Sequence, residues 1–202
     1  MTAEGQVHVI DDDDAMRDSL CFLLETSGLT ARSFTSASAF LEALPTVGGG
    51  CVVTDIRMPG MSGLELVRVL RGMRPDLPVV VMTGHGDIPM AVEAMKSGVV
   101  DFLEKPFHED AMIGAVRKAL EGGRNPVRAA VDSGPILARM ETLAPRERQV
   151  LDGLVAGKPN KIIAFDLDIS VRTVEVYRAN VMTKMQAHSL SELVRMVLLA
   201  GG

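Results

Sequence analysis

Five short apolar runs recur from residue 7 onward, and between them apolar residues return at helical spacing. The runs cover residues 7–10, 29–34, 51–54, 79–82 and 100–103. Each is rich in β-branched or aromatic side chains and has the length of a strand. Between them Met16, Leu20, Leu23 and Leu24 repeat in steps of three and four, as do Leu64, Leu66, Val67 and Leu70, and then Ala91, Val92 and Met95. Strands that are apolar on both faces and alternate strictly with helices predict an open, doubly wound parallel α/β sheet covered on each side. The pattern ends with a helix near residues 109–121.

Gly122, Gly123 and Pro126 then break the helix, and residues 127–140, which contain Gly134 and Pro135, read as a partly helical linker. From Leu143 only helical periods occur, over residues 146–156, 161–167, 171–185 and 190–200. The expected organisation is a first domain over 1–121, a linker over 122–140, and a small all-α four-helix domain over 141–202. Within the latter, a helix, a tight turn at residues 166–170 and a second helix form the arrangement that lays its second member in the DNA major groove.

Composition narrows the class. The 202 residues are 47% hydrophobic and 23% charged, which excludes collagen-like, fibrous and disordered chains. The longest unbroken apolar stretches, such as 79–82 and 196–200, fall far short of the roughly 18 residues a membrane span needs. The first residues show neither a basic start nor an apolar signal core, so the expected location is the cytoplasm, with no membrane partner. Cys21 and Cys51 have no metal or disulfide spacing and read as free thiols. The net charge of −5 argues at face value against nucleic acid, but it is unevenly spread. Residues 1–121 carry 10 Lys and Arg against 18 Asp and Glu, whereas residues 141–202 carry 8 against 7. An acidic first domain thus masks a near-neutral second one, and pairing of two copies is the expected source of tight DNA binding.

The acidity has a focus. In open parallel sheets ligands bind beyond the carboxyl ends of the strands, where strand order reverses. The first strand runs into Asp11-Asp12-Asp13-Asp14, the third into Asp55, the fourth into Thr83 and the fifth into Lys105. With strands ordered 2-1-3-4-5, Asp11, Asp12 and Asp55 should converge, and such a cluster persists only with a neutralising cation. Hard oxygen ligands in a water-accessible pocket suit Mg²⁺. A carboxylate beside that ion can act as a nucleophile and form an aspartyl-phosphate. Lys105 then offers a cation to the phosphoryl oxygens and Thr83 a hydroxyl. Asp13 and Asp14 read as caps of the first helix.

Asp11-Asp12, Asp55, Thr83-Gly84 and Lys105-Pro106 at these spacings resemble the receiver domain of bacterial two-component response regulators, a flavodoxin-like (βα)5 fold, over about residues 5–121. The resemblance implies that Asp55 accepts a phosphoryl group from a sensor histidine kinase. It also implies that Asp12, Asp55 and the Arg57 carbonyl bind Mg²⁺ directly, with Asp11 helping through water, and that Lys105-Pro106 is a cis peptide. Beyond Mg²⁺-dependent self-phosphorylation and dephosphorylation at Asp55, no enzymatic activity is expected. Phe102 is either a core ring or a switch that turns inward on phosphorylation. The readout face would be the fourth helix with the fifth strand and helix, where Val92, Met95 and Lys96 share one helix and a symmetric homodimer could form.

The second half is similar to the LuxR-type helix-turn-helix effectors over about residues 141–200. The similarity lies in Pro145-Arg146-Glu147, Gly157, the run Asn160-Lys161-Ile162-Ile163-Ala164, Ile169-Ser170 and Thr173-Val174. Glu175 and Tyr177 stand where many members carry Lys and His, and Ala179 replaces another frequent base. Read directly, Arg172, Thr173, Glu175, Val176 and Arg178 are the residues nearest the groove, where Arg can pair with guanine, Glu with the cytosine amino group and Val with the thymine methyl. Asn160, Lys161 and Lys184 would hold phosphates. Glu147 reads as half of a buried ion pair. Within this family the likeness is greatest to the FixJ group, carried by residues 83–87, 101–107 and 174–180. That likeness implies activation of nitrogen-fixation genes under low oxygen, with a haem-containing FixL-like kinase, promoter DNA and RNA polymerase as partners. Two rivals are a receiver that controls a non-DNA partner and an aspartyl-phosphate phosphatase of the haloacid-dehalogenase type. The phosphatase needs a second Asp where this chain has Arg57.

Overall fold

The computed structural model describes residues 5–84, 88–123 and 133–201. His85, Gly86 and Asp87, part of the likeness noted above, lie outside them, as do residues 124–132 of the stretch read as a linker.

Strands β1 (Gln6–Ile10), β2 (Thr30–Phe34), β3 (Gly50–Asp55), β4 (Val79–Thr83) and β5 (Asp101–Glu104) form one sheet in the order β2-β1-β3-β4-β5. Every pairing in it is parallel. The alternation predicted the open parallel sheet, and this strand order is that of the flavodoxin-like fold which the receiver resemblance implies. β3 and β4 are buried almost throughout, which is why their sequences are continuous apolar runs. β2 lies at the sheet edge and alternates less cleanly, with Thr30, Arg32 and Ser33 exposed.

The helices of the first half include α1 (Asp14–Thr26), α2 (Ala37–Ala43), α3 (Gly63–Met73), α4 (Ile88–Lys96) and α5 (Glu109–Gly123). α2 has seven residues and runs into a single 3-10 turn (Leu44–Thr46), too short to show a helical period. Asp13 caps α1, its side chain accepting from the Met16 N–H at 3.1 Å. α3 starts with a reciprocal cap in which Ser62 Oγ accepts from Glu65 N–H and Glu65 Oε2 accepts from Ser62 N–H. On one face of the sheet Val7, Val9, Cys51, Val53, Val80 and Met82 pack with Leu20 and Leu24 of α1 and with Met112, Ala115, Val116 and Ala119 of α5. On the alternating positions His8 contacts Phe34 and Phe40, whose rings meet edge to face at 5.1 Å.

By compactness the chain divides into two units, one of residues 1–85 and 97–127, the other of 128–202 together with 86–96. The second unit contains α6 (Gly134–Glu141), α7 (Pro145–Val155), α8 (Asn160–Leu167), α9 (Val171–Met185) and α10 (Leu190–Gly201). α6 arises inside the stretch read as a linker, and its Ile136 and Met140 are buried. Its weak amphipathicity in the sequence reflects a helix that buries only these two side chains. The α8–α9 turn is made by Asp168 in the left-handed conformation (φ 53°), after which Ser170 caps α9 by accepting from Thr173 N–H at 3.0 Å. Val150, Leu151, Leu154, Ile163, Val174, Val181, Met185, Leu193 and Val194 form the core.

Candidate functional site

The register of the sheet assembles the site. Ile10 pairs with Thr54, so the next residues, Asp11 and Asp55, exit side by side; Asp55 pairs with Met82, and Thr83 with Glu104, which places Lys105 at the same rim. Asp11, Asp55 and Thr83 are buried, at 2%, 8% and 1% exposure. Lys105 reaches across them. Its Nζ lies 2.6 Å from Asp55 Oδ1 and 3.0 Å from Asp11 Oδ2, while its backbone N–H donates to Thr83 O at 2.7 Å. The Lys105-Pro106 peptide is cis. The second Asp55 oxygen accepts from the Arg57 N–H at 2.6 Å, and Asp11 Oδ1 accepts from Asp13 N–H at 3.0 Å.

These contacts set the electrostatics. Burial pushes the Asp55 carboxyl above its ordinary range, and the hydrogen bond and charge of Lys105 only partly offset it. Burial works in the opposite sense on Lys105, but its hydrogen bonds to Asp55 and Asp11 prevail and hold the ammonium more basic than usual. Lys105 is thus a fixed cation held against two buried carboxyl groups.

The expected three-acid cluster is not what the structure shows. Asp12 is exposed, and among the described residues no group of three or more His, Cys, Asp or Glu stands close enough to hold a metal ion. The Lys105 ammonium bridges Asp11 and Asp55 and offsets part of their repulsion, while Asp12 stands in solvent. The Thr83 hydroxyl donates to Gly84 O at 3.2 Å. Phe102 is 4% exposed and lies within the core. Of the three residues assigned to the pairing face, Val92 and Met95 are buried and only Lys96 is at the surface.

Arg17 is a participant that motif spacing overlooked. It is buried, donates from Nη1 to the Asp11 carbonyl at 2.7 Å and pairs with Asp14. The signal was present: Arg17, Leu20 and Leu24 share one helical face, so the arginine had to point inward.

In the helical unit, Lys161, Arg172, Glu175 and Val176 are exposed, and Arg178, Thr173 and Asn160 are half-buried. All but Asn160 and Lys161 lie on α9, the second helix of the turn. Lys184 differs from the other basic candidates. Its Nζ sits 2.6 Å from the buried Glu147 and 3.2 Å from Thr142 O, so it is committed inside the unit rather than presented for a phosphate. The Lys184 bond and the Ala144 N–H hold the Glu147 carboxyl below its usual range.

Two family descriptions account for these halves. Residues 7–117 match the response regulator receiver domain, and residues 141–197 match the luxR family of bacterial regulatory proteins. The transcriptional regulatory protein FixJ of Bradyrhizobium diazoefficiens is 54% identical over 201 residues, covering 100% of this chain and 98% of its own. The chain belongs to the FixJ family of response regulators. FixJ of Azorhizobium caulinodans is 60% identical over 195 residues, 96% of this chain and 92% of that protein. A crystal structure of full-length FixJ from B. japonicum superposes with a TM-score of 0.60 at 54% identity, covering 99% of this chain and 98% of that one. As a FixJ-family response regulator, this protein couples phosphorylation to transcription, taking its input from a histidine kinase and acting on promoter DNA through the LuxR-type unit. Among the described residues no helix is long and apolar enough to cross a membrane.

Proposed function

We propose that Asp55 accepts the phosphoryl group and that this converts the chain into a homodimer whose paired helical units bind promoter DNA. The observation that carries the reading is the Lys105 ammonium held against both Asp55 and Asp11, at 2.6 and 3.0 Å. In the transfer, an Asp55 carboxylate oxygen attacks phosphorus, the P–N bond to the kinase histidine breaks, and the imidazole leaves with its electron pair and takes up a proton. Lys105 then bonds to the new phosphoryl oxygens, and the Thr83 hydroxyl supplies a second donor once it leaves Gly84 O.

The donor set fits Mg²⁺. Asp55, Asp12 and the Arg57 carbonyl would offer hard oxygen ligands and Asp11 would help through water; the exposure of Asp12 gives solvent access for the waters this ion would retain. When bound, the ion supplies charge neutralisation at the phosphoryl oxygens.

Phosphorylation adds nearly two negative charges at a buried rim, and Phe102 on β5 and the Val92–Met95–Lys96 face of α4 are the proposed route outward. Val92 and Met95 are buried, so pairing through them requires that they become exposed. On DNA, Arg172, Thr173, Glu175, Val176 and Arg178 are the proposed base-reading residues, with Asn160 and Lys161 at phosphates. Identity of 54–60% to FixJ proteins across nearly the whole chain supports control of nitrogen-fixation genes under low oxygen, through a FixL-like kinase and RNA polymerase.

Acetyl phosphate with Mg²⁺ tests the scheme. Light scattering after size exclusion should show monomer becoming dimer, and affinity for specific duplex DNA should rise with it. A phosphorylated protein that stays monomeric and binds DNA no better would refute it. Lys161→Ala should weaken binding across all sequences and lower the salt slope of log K by about one unit. An unchanged slope would remove Lys161 from the phosphate contacts.

A further inference from the structure

We propose that Gly63, the first residue of α3, is a positioning residue for the phospho-acceptor: the missing side chain at 63 is what lets the Asp55 backbone sit where its carboxylate meets Lys105. The inference rests on reading Asp55 as the acceptor. A Cβ built at Gly63 would stand 2.1 Å from the Asp55 carbonyl oxygen, 3.0 Å from its carbon and 3.1 Å from Ile56 Cα. All three are backbone atoms, so no rotamer change can relieve the clash. Gly63 does not adopt a positive φ, unlike Gly60 at φ 77°. Room, rather than backbone conformation, is therefore what calls for glycine at 63.

The surroundings leave little slack. The Gly63 N–H donates to Ile56 O at 2.9 Å, and the Ile56 N–H donates to Met82 O at 2.9 Å, tying the start of α3, the exit of β3 and the end of β4 into one frame. The Ser62–Glu65 cap fixes the first turn of α3 from the other side. Any larger residue at 63 must push either α3 or the Asp55 peptide by about 1 Å to restore an ordinary contact. Asp55 is held by two bonds of 2.6 Å, to Lys105 Nζ and Arg57 N–H, and a displacement of that size breaks or lengthens both. It also moves the Arg57 carbonyl. A misplacement of 1 Å at a reacting group costs about 10²-fold in rate, and disturbed support around metal ligands costs about 10- to 100-fold in metal affinity.

Gly72 provides the control, because it lies on the same helix and a Cβ there meets nothing within 4 Å. For wild type, Gly63→Ala and Gly72→Ala, the full chain is followed for phosphoryl uptake from acetyl phosphate against Mg²⁺ concentration, for Mg²⁺ binding alone by calorimetry, and for thermal melting. Gly63→Ala should phosphorylate about 10²-fold more slowly at saturating Mg²⁺ and bind Mg²⁺ alone roughly tenfold more weakly. Gly72→Ala should match wild type in both. Should Gly63→Ala melt early yet keep wild-type Mg²⁺ binding and uptake, the glycine serves packing only and the inference is overturned. Should Gly63→Ala not fold, Ser62→Ala decides, since that half-buried cap can be removed from a folded chain. It should weaken Mg²⁺ binding several-fold, and unchanged binding overturns the inference. A wild type that takes up no phosphoryl group at Asp55 overturns the acceptor reading instead.

Discussion

Asp55→Asn is expected to abolish phosphoryl uptake and, at the same time, to stabilise the fold at neutral pH. The loss follows from removing the nucleophile: the amide has no anionic oxygen to form an acyl phosphate, so uptake from acetyl phosphate and Mg²⁺ should fall to background, and dimerisation on phosphodonor with it. The gain follows from the electrostatics. Burial raises the folded-state pKa of Asp55 above its ordinary value, despite the help of Lys105. A carboxyl whose pKa is raised by folding binds protons more tightly in the native state, so its contribution to stability falls as pH rises through that pKa. At pH 7 the native protein therefore holds a charge it would rather lose, and asparagine relieves it at nearly constant shape. Melting of wild type and Asp55→Asn without Mg²⁺ at pH 7 should show the variant higher, and the difference should shrink as pH falls through the raised native pKa towards the ordinary aspartate value of 3.8. Phosphorylation-dependent dimerisation that survives in Asp55→Asn would remove Asp55 as the acceptor. A variant that melts lower at pH 7 would instead show that Lys105 contributes more than burial costs.

The second large effect concerns His8, in the middle of β1. It has no exposed surface, neither ring nitrogen has a hydrogen-bond partner among the described residues, and its ring lies against Phe34 and Phe40. Burial, followed by the charges of Arg32 and Arg74, lowers its pKa from 6.5 to about 4. Above pH 6.5 the imidazole is neutral in both folded and unfolded chains and exerts no pH dependence. As pH falls from 6.5 towards 4 the unfolded chain takes up a proton that the folded one refuses, so stability declines across that window and levels off below it. A shift of this size corresponds to a loss on the order of 3 kcal/mol at the acid end. His8→Leu keeps a similar volume and removes both the titration and two unsatisfied polar atoms. It should be more stable than wild type at pH 7, and its advantage should widen by that amount at pH 4, as read by urea denaturation at the two values. Parallel stability profiles for the two proteins between pH 7 and 4 would show that His8 finds a proton acceptor on folding.

Much of the site was legible along the chain because it is written at strand ends. A buried apolar run that stops at a carboxylate, as at residues 51–55, or at a lysine, as at 101–105, is a local signal that needs no tertiary knowledge. Arg17 was legible too, through its helical step to Leu20 and Leu24. Asp11 and Asp12 have the same chemistry in sequence, and only the fold separates them, burying Asp11 and leaving Asp12 in solvent. Lys184 was not legible, since a basic residue late in α9 is equally suited to a phosphate or to the buried Glu147, 37 residues earlier.

Periodicity and residue type by themselves determined the alternation of strands and helices, the all-α second half, the strand-end chemistry and the family. These are properties of short windows, where side-chain period and backbone preference act over a few residues. Only the tertiary structure decided what those windows do to each other. Lys105 meets Asp11 across 94 residues and so bridges it to Asp55. His8 looks like part of an apolar run until the Phe34 and Phe40 rings enclose it. Gly63 looks like a loop residue until α3 is laid against the Asp55 carbonyl. In each case the deciding quantity is a distance between distant segments, and that distance is set by packing the sheet and its helices, not by any neighbour in the chain.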